Sequence, residues 1–103
     1  MTDETPVPED TVRSKIVSET AKVGWRELMR EFAGGRTLMV HSELDVIEVA
    51  YQLHMDNAAL VALWLKADEV RPVSDDEAGL WYEGDRLVWA SVVKPWVLVQ
   101  LAE

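Results

Sequence analysis

The sequence predicts a single α+β domain, with four or five helices packed on a small, mainly antiparallel sheet. The segment Leu87–Leu101 carries one charge, Lys94, in fifteen residues and is rich in β-branched and aromatic side chains, which is typical of buried strands. Stripes of apolar residues at helical spacing precede it. A chain of 103 residues with 49% hydrophobic residues has the size and composition of one folded domain.

Composition excludes several classes of protein. Nineteen acidic residues against ten basic ones give a formal net charge of −9, which disfavours nucleic acid as a partner. The absence of cysteine excludes disulfides and thiolate metal sites. The first ten residues lack the features of a secretory signal, and Leu87–Leu101 is too short to span a membrane as a helix. We therefore expect a cytoplasmic protein without a membrane interaction.

The N-terminal third predicts a flexible leader over residues 1–8, followed by the domain over residues 9–103. A first helix should run from about Glu9 to near Gly24, because apolar residues recur at helical spacing up to Val23. A second amphipathic stripe begins at Trp25 and ends before Gly34-Gly35, a helix-stop signal. The segment Arg36–His41 then predicts a strand.

Capping residues mark the helices that follow. Ser42 with Asp45 resembles an N-terminal capping signature ahead of a helix that buries Val46, Val49, Ala50 and Leu53. Asn57 can cap a second helix carrying Leu60, Val61, Trp64 and Leu65.

The last third predicts one helix and two or three strands. Val70–Val73 can form a short edge strand, because Pro72 cannot donate to a neighbouring strand. Ser74 and Glu77 form a capping box for a helix with Ala78 and Trp81 on its buried side. Two strands follow, separated at Lys94-Pro95, and the sequence leaves open whether they form a hairpin or one bent strand.

The order of several short motifs identifies a family. From Ser18 to Gln100 the chain contains SETAKVGWRELMREFAGG, LDVIEVA, VALWL and VSDDEAGLWYEGDRLVWASVVKPWVLVQ. This pattern resembles a family of small bacterial proteins known as a domain of unknown function, uncharacterised protein family 2288. The resemblance implies a compact cytoplasmic bacterial domain and carries no activity, cofactor or catalytic residues.

One cluster of metal-ligand residue types occurs at a strand-to-helix junction: His41, Glu43, Asp45 and Glu48. It is a weak candidate for a divalent metal site in a small enzyme or ligand-binding protein. Its spacing matches no strong metal-binding motif, and helix capping by Ser42 and Asp45 explains the acids without a metal. We predict no cofactor and no catalytic residues.

Other candidate sites have structural explanations. His54 suits a helix C-terminus, and the acidic run Asp75–Glu77 suits a helix N-terminus. Ser91 lacks the sequence context of a serine nucleophile. A winged-helix regulator is a further alternative, but its second helix would offer one lysine and mostly apolar residues to DNA.

Five tryptophans are many for so small a core, and tryptophan is enriched at the energetic centres of interfaces. Burial of all five in one core and a self-association surface remain equally open. The leading hypothesis is a non-enzymatic, acidic protein-interaction domain that forms a homo-oligomer or binds another protein. Its predicted interaction surface follows an edge of the C-terminal strands and comprises Trp89, Trp96, Leu98 and Gln100.

Overall fold

The computed structural model describes residues 8–102, which form five strands and five α-helices. The elements are α1 (Pro8–Ser18), β1 (Thr20–Gly24), a 3-10 helix (Trp25–Leu28), α2 (Met29–Ala33), β2 (Thr37–Val40), α3 (Val46–His54), α4 (Ala58–Lys66), β3 (Val70–Pro72), α5 (Asp75–Glu83), β4 (Leu87–Val93) and β5 (Trp96–Leu101). The predicted α+β class is confirmed. The predicted leader lies outside the described residues, except for Pro8, which begins α1.

The strands form one sheet in the order β1-β4-β5-β2-β3. Three of the four pairings are antiparallel, and β2 with β5 is parallel. Strands β4 and β5 are a hairpin in which Val93 pairs with Trp96. The Lys94-Pro95 peptide bond between them is cis, as in turns that carry proline at the third position. The antiparallel pairing of β4 with β5 shows that the two segments form a hairpin and not one bent strand.

Helices cover both faces of the sheet. The 3-10 helix, α2 and α5 pack on one face, and α1, α3 and α4 pack on the other. The buried residues of the first layer are Trp25, Val73, Ala78, Trp81, Val88, Ala90, Val97 and Val99. Those of the second layer are Ile16, Val40, Val46, Val49, Ala50, Val70 and Leu98. Because both faces are covered, the C-terminal strands are apolar on both sides.

The first helix is shorter than predicted. It ends at Ser18, and the chain continues as strand β1, in which Thr20 lies opposite Ser91 of β4. The Thr20 hydroxyl contacts the Ser91 hydroxyl at 2.7 Å and the Ile16 carbonyl at 2.7 Å. Thr20 and Val23 continue the helical spacing of apolar residues in α1, but the chain forms a strand there because it pairs with β4, which is distant in sequence.

The predicted helix boundaries are otherwise close to those observed. Asp45, rather than Ser42, caps α3, because its carboxylate accepts a hydrogen bond from the Ile47 amide at 2.9 Å. Asn57 caps α4, and Ser74 with Glu77 forms the predicted capping box of α5. Among the described residues, no helix is both long and apolar enough to cross a bilayer.

Candidate functional site: an apolar helix and the pocket beneath it

Three of the four candidate metal-ligand side chains, those of His41, Asp45 and Glu48, make local hydrogen bonds. The His41 Nδ1 accepts a hydrogen bond from the Glu43 amide at 3.1 Å, and Asp45 caps α3. The Glu48 carboxylate accepts hydrogen bonds from Arg13 and Gln52, both at 2.7 Å. In the part of the chain whose side chains are described, residues 11–102, no group of three or more such side chains is arranged to hold a metal ion.

The charge of Glu48 is stabilised by its partners. The hydrogen bond from Arg13 is the largest effect that lowers the pKa of Glu48, and the bond from Gln52 lowers it further. A carboxylate held ionised by an arginine contributes to the packing of α1 against α3. Glu48 therefore has a structural role in the contact between α1 and α3.

The other candidate residues also have structural roles. Ser91 is fully buried, and its hydroxyl is hydrogen-bonded to the Thr20 hydroxyl. Asp75, Asp76 and Glu77 occupy the first turn of α5, where acids complement the helix dipole. Among the side chains described, those of residues 11–102, no buried nitrogen or oxygen lacks a hydrogen-bond partner.

The residues of the predicted interaction surface differ in their exposure to solvent. Trp89 is 38% exposed, whereas Leu98 is fully buried. The Lys22 Nζ lies 5.3 Å from the centroid of the Trp89 ring. Gln100 is half-buried and donates hydrogen bonds to the carbonyls of His41 and Leu44. The prediction that these residues follow a sheet edge is wrong, because β4 and β5 lie inside the sheet and the edges are β1 and β3.

Helix α4 is more exposed to solvent than its apolar sequence predicts. Eight of its nine residues are apolar. Even so, none of the nine is buried by the described part of the chain. Leu63 is 63% exposed and Leu65 is 48% exposed. The sequence contains the apolar run AALVALWL. Because an apolar run predicts burial, the sequence did not indicate that this helix is exposed.

An apolar pocket of about 320 Å³ lies between α4 and the sheet. Val61, Trp64 and Leu65 of α4 line one side of it. Leu38, Trp96 and Leu98 line it from the sheet. The described side chains that line it are uncharged, and their only polar atoms are the indole nitrogens of Trp64 and Trp96. Trp96 thus belongs to the wall of a pocket, not to an open sheet edge.

Comparison with known proteins places this fold in a family. Residues 11–101 match the model of the family described as Protein of unknown function (DUF2288). The chain belongs to this family. The DUF2288 assignment confirms the resemblance that the order of the sequence motifs predicted.

A solved structure supports the same fold for the DUF2288 chain. The NMR solution structure of PA1075 from Pseudomonas aeruginosa is 40% identical, with a TM-score of 0.78. The match covers 100% of this chain and 93% of that chain. No curated protein matches the chain.

Proposed function

We propose that this protein is a non-enzymatic interaction domain that self-associates through α4. The observation that supports the proposal is the exposure of a helix that is apolar on nearly all sides. Such helices are normally buried, and large exposed apolar surfaces mark interaction sites. Contact with a second copy would remove this surface from water.

The proposed interface is the outer side of α4 together with the end of α3, which we call the α4 surface. It consists of exposed residues without charge: Met55, Ala58, Ala59, Ala62, Leu63 and Leu65. The alanines allow two helices to approach closely, because the distance between packed helices depends on the side chains at the contact. Leu63 and Leu65 would then fill the space on either side.

Charge favours a second copy as the occupant. The formal net charge of −9 opposes contact between copies wherever acidic residues meet. The α4 surface has no acidic residue, but opposite charges stand at its two ends, Asp56 before the helix and Lys66 at its last position. Around a two-fold axis with antiparallel helices, Lys66 of each copy faces Asp56 of the other.

The proposal is tested by measuring molar mass with light scattering after gel filtration. We expect the wild-type protein to reach the mass of a dimer at high micromolar concentration. Leu63→Glu should remain monomeric, because it places two like charges in the interface. Leu80→Glu is the matched control, since Leu80 is 70% exposed on α5, away from the α4 surface.

Two results would contradict self-association through α4. One is a wild-type protein that stays monomeric at these concentrations. The other is a Leu63→Glu variant with the same dimer dissociation constant as wild type. Circular dichroism of both variants checks that the substitutions leave the fold intact.

The charge pairing is tested separately with a double-mutant cycle of Lys66→Ala and Asp56→Asn. Asparagine is chosen because Asp56 has a φ of 58°, a conformation that asparagine tolerates better than most residues. Each single variant should weaken the dimer, and the double variant should weaken it by less than the sum. Fully additive effects would show that the two residues do not meet. Lys94→Ala, in the exposed β4–β5 turn, should have no effect.

A further inference from the structure

We infer that the pocket beneath α4 binds a small, uncharged apolar molecule. The pocket opens between the helix and the sheet and is walled by Trp64 and Trp96, so it differs from the α4 surface, with which it shares only Leu65. Leu63, whose substitution tests the proposed dimer contact, does not line it. The inference therefore goes beyond the proposed function and does not require it.

The lining determines the chemistry of the ligand. A charged or strongly polar group entering the pocket would lose its hydration, and the described side chains around it offer in exchange only the indole N–H donors of Trp64 and Trp96 and no acceptor. The neighbouring charge on β3, Arg71, is held by hydrogen bonds to Glu77 of α5, which packs on the opposite face of the sheet. The pocket accordingly favours hydrocarbon over ions or sugars.

The volume determines the size of the ligand. An apolar protein cavity of about 150 Å³ stays dry and binds benzene. The pocket beneath α4 measures about 320 Å³, which is room for roughly two fused rings or a short hydrocarbon chain. The two indole side chains supply flat apolar walls, and aromatic rings gain extra attraction from such neighbours.

Its position explains how a ligand could enter. Helix α4 contributes Val61, Trp64 and Leu65 to the pocket, yet all three side chains keep some solvent exposure. The opposite wall is formed by sheet residues that include the fully buried Leu98. The pocket thus has a floor that includes the fully buried Leu98 and is covered by a partly exposed helix.

Binding is tested with naphthalene and n-octanol as probes on the whole protein. We expect saturable changes in the methyl NMR signals of Val61, Leu65 and Leu98 of the wild-type protein. At about ten times the dissociation constant, the melting temperature should rise by roughly 5 to 10 °C. Tighter binding of naphthalene would identify an aromatic ligand, and tighter binding of n-octanol would identify a hydrocarbon chain.

Variants distinguish the pocket from the surface. Val61→Phe should fill the pocket and weaken binding of both probes by at least tenfold. Leu80→Phe changes an exposed side chain of α5 and should bind both probes as the wild type does. Leu63→Glu should also retain binding, so failure of self-association leaves this result unaffected. The inference is overturned if neither probe shifts the three methyl signals of the wild-type protein, or if a folded Val61→Phe variant binds as tightly as wild type.

Discussion

Arg71 of β3 and Glu77 of α5 are joined by two parallel hydrogen bonds, 2.7 Å from Nη1 to Oε1 and 2.6 Å from Nη2 to Oε2. The same Glu77 carboxylate accepts a hydrogen bond from the Ser74 amide at 3.1 Å. One side chain therefore completes the cap of α5 and ties that helix to the edge strand. Paired hydrogen bonds between arginine and a carboxylate are among the stronger polar contacts in proteins.

Acid should weaken the fold through this pair. The hydrogen bonds from Arg71 are the main cause that lowers the pKa of Glu77 from 4.5 to about 2. Because the folded-state pKa is the lower one, the stabilisation is complete above about pH 4.5 and is lost as the pH falls towards 2. Its upper limit is roughly 3 kcal/mol. Urea unfolding between pH 7 and pH 2 should show a falling midpoint, and a flat profile would contradict the assignment.

Glu77→Gln should lower the free energy of unfolding at pH 7 by about 1–3 kcal/mol, because Arg71 loses its charged partner. Glutamine can still accept the Ser74 amide bond, so the cap is partly retained. The control is Asp76→Asn, an exposed acid in the same helical turn, which should change stability far less. At pH 2 the gap between wild type and Glu77→Gln should narrow, and a gap independent of pH would argue against the ion pair.

Trp25 should be the most sensitive tryptophan. It is fully buried, donates a hydrogen bond from Nε1 to the Ala78 carbonyl at 3.1 Å, and meets the Trp81 ring edge-on at 5.1 Å. Trp25→Phe removes the donor and leaves a void, for an expected loss of about 2–3 kcal/mol. Trp89→Phe, at a 38% exposed position, should cost less than about 1 kcal/mol. Equal losses in denaturant unfolding would contradict this ranking.

Gln100 should stabilise the loop before α3. Its Nε2 donates to the His41 carbonyl at 2.9 Å and to the Leu44 carbonyl at 2.7 Å. Gln100→Leu removes both donors and should lower the free energy of unfolding by about 1–2 kcal/mol. Gln52→Leu is the comparison, because its partners are side chains on a helix surface. Amide hydrogen exchange should speed up around residues 41–45 only in Gln100→Leu.

Divalent cations should leave the thermal stability unchanged. The side chains of His41, Asp45 and Glu48 already make local hydrogen bonds in the structure, and a metal would have to replace them. A ligand that binds the native state raises its melting temperature. A thermal-shift series with Zn²⁺ and Mg²⁺ checks this, and a rise that disappears in His41→Ala would restore the metal-site hypothesis.

Local signals in the sequence predicted much of the fold correctly. Asn57 and the Ser74 and Glu77 pair predicted the starts of α4 and α5, because capping depends on residues within one turn. The β-branched composition of Leu87–Leu101 predicted two strands in the same way. The strand β1 was missed, because its pairing with β4 depends on residues distant along the chain.

The candidate site was less accessible to sequence reasoning. Trp96 was predicted to lie on an interaction surface, but its place in the pocket wall depends on where α4 lies over the sheet. Leu98 was assigned to an interaction surface, and the central position of β5 buries it instead. The amino-acid sequence by itself determined the family, the α+β class and most helix starts, since these follow from local pattern. Only the tertiary structure decided strand order and which apolar residues stay exposed, because burial depends on contacts between segments distant in the chain.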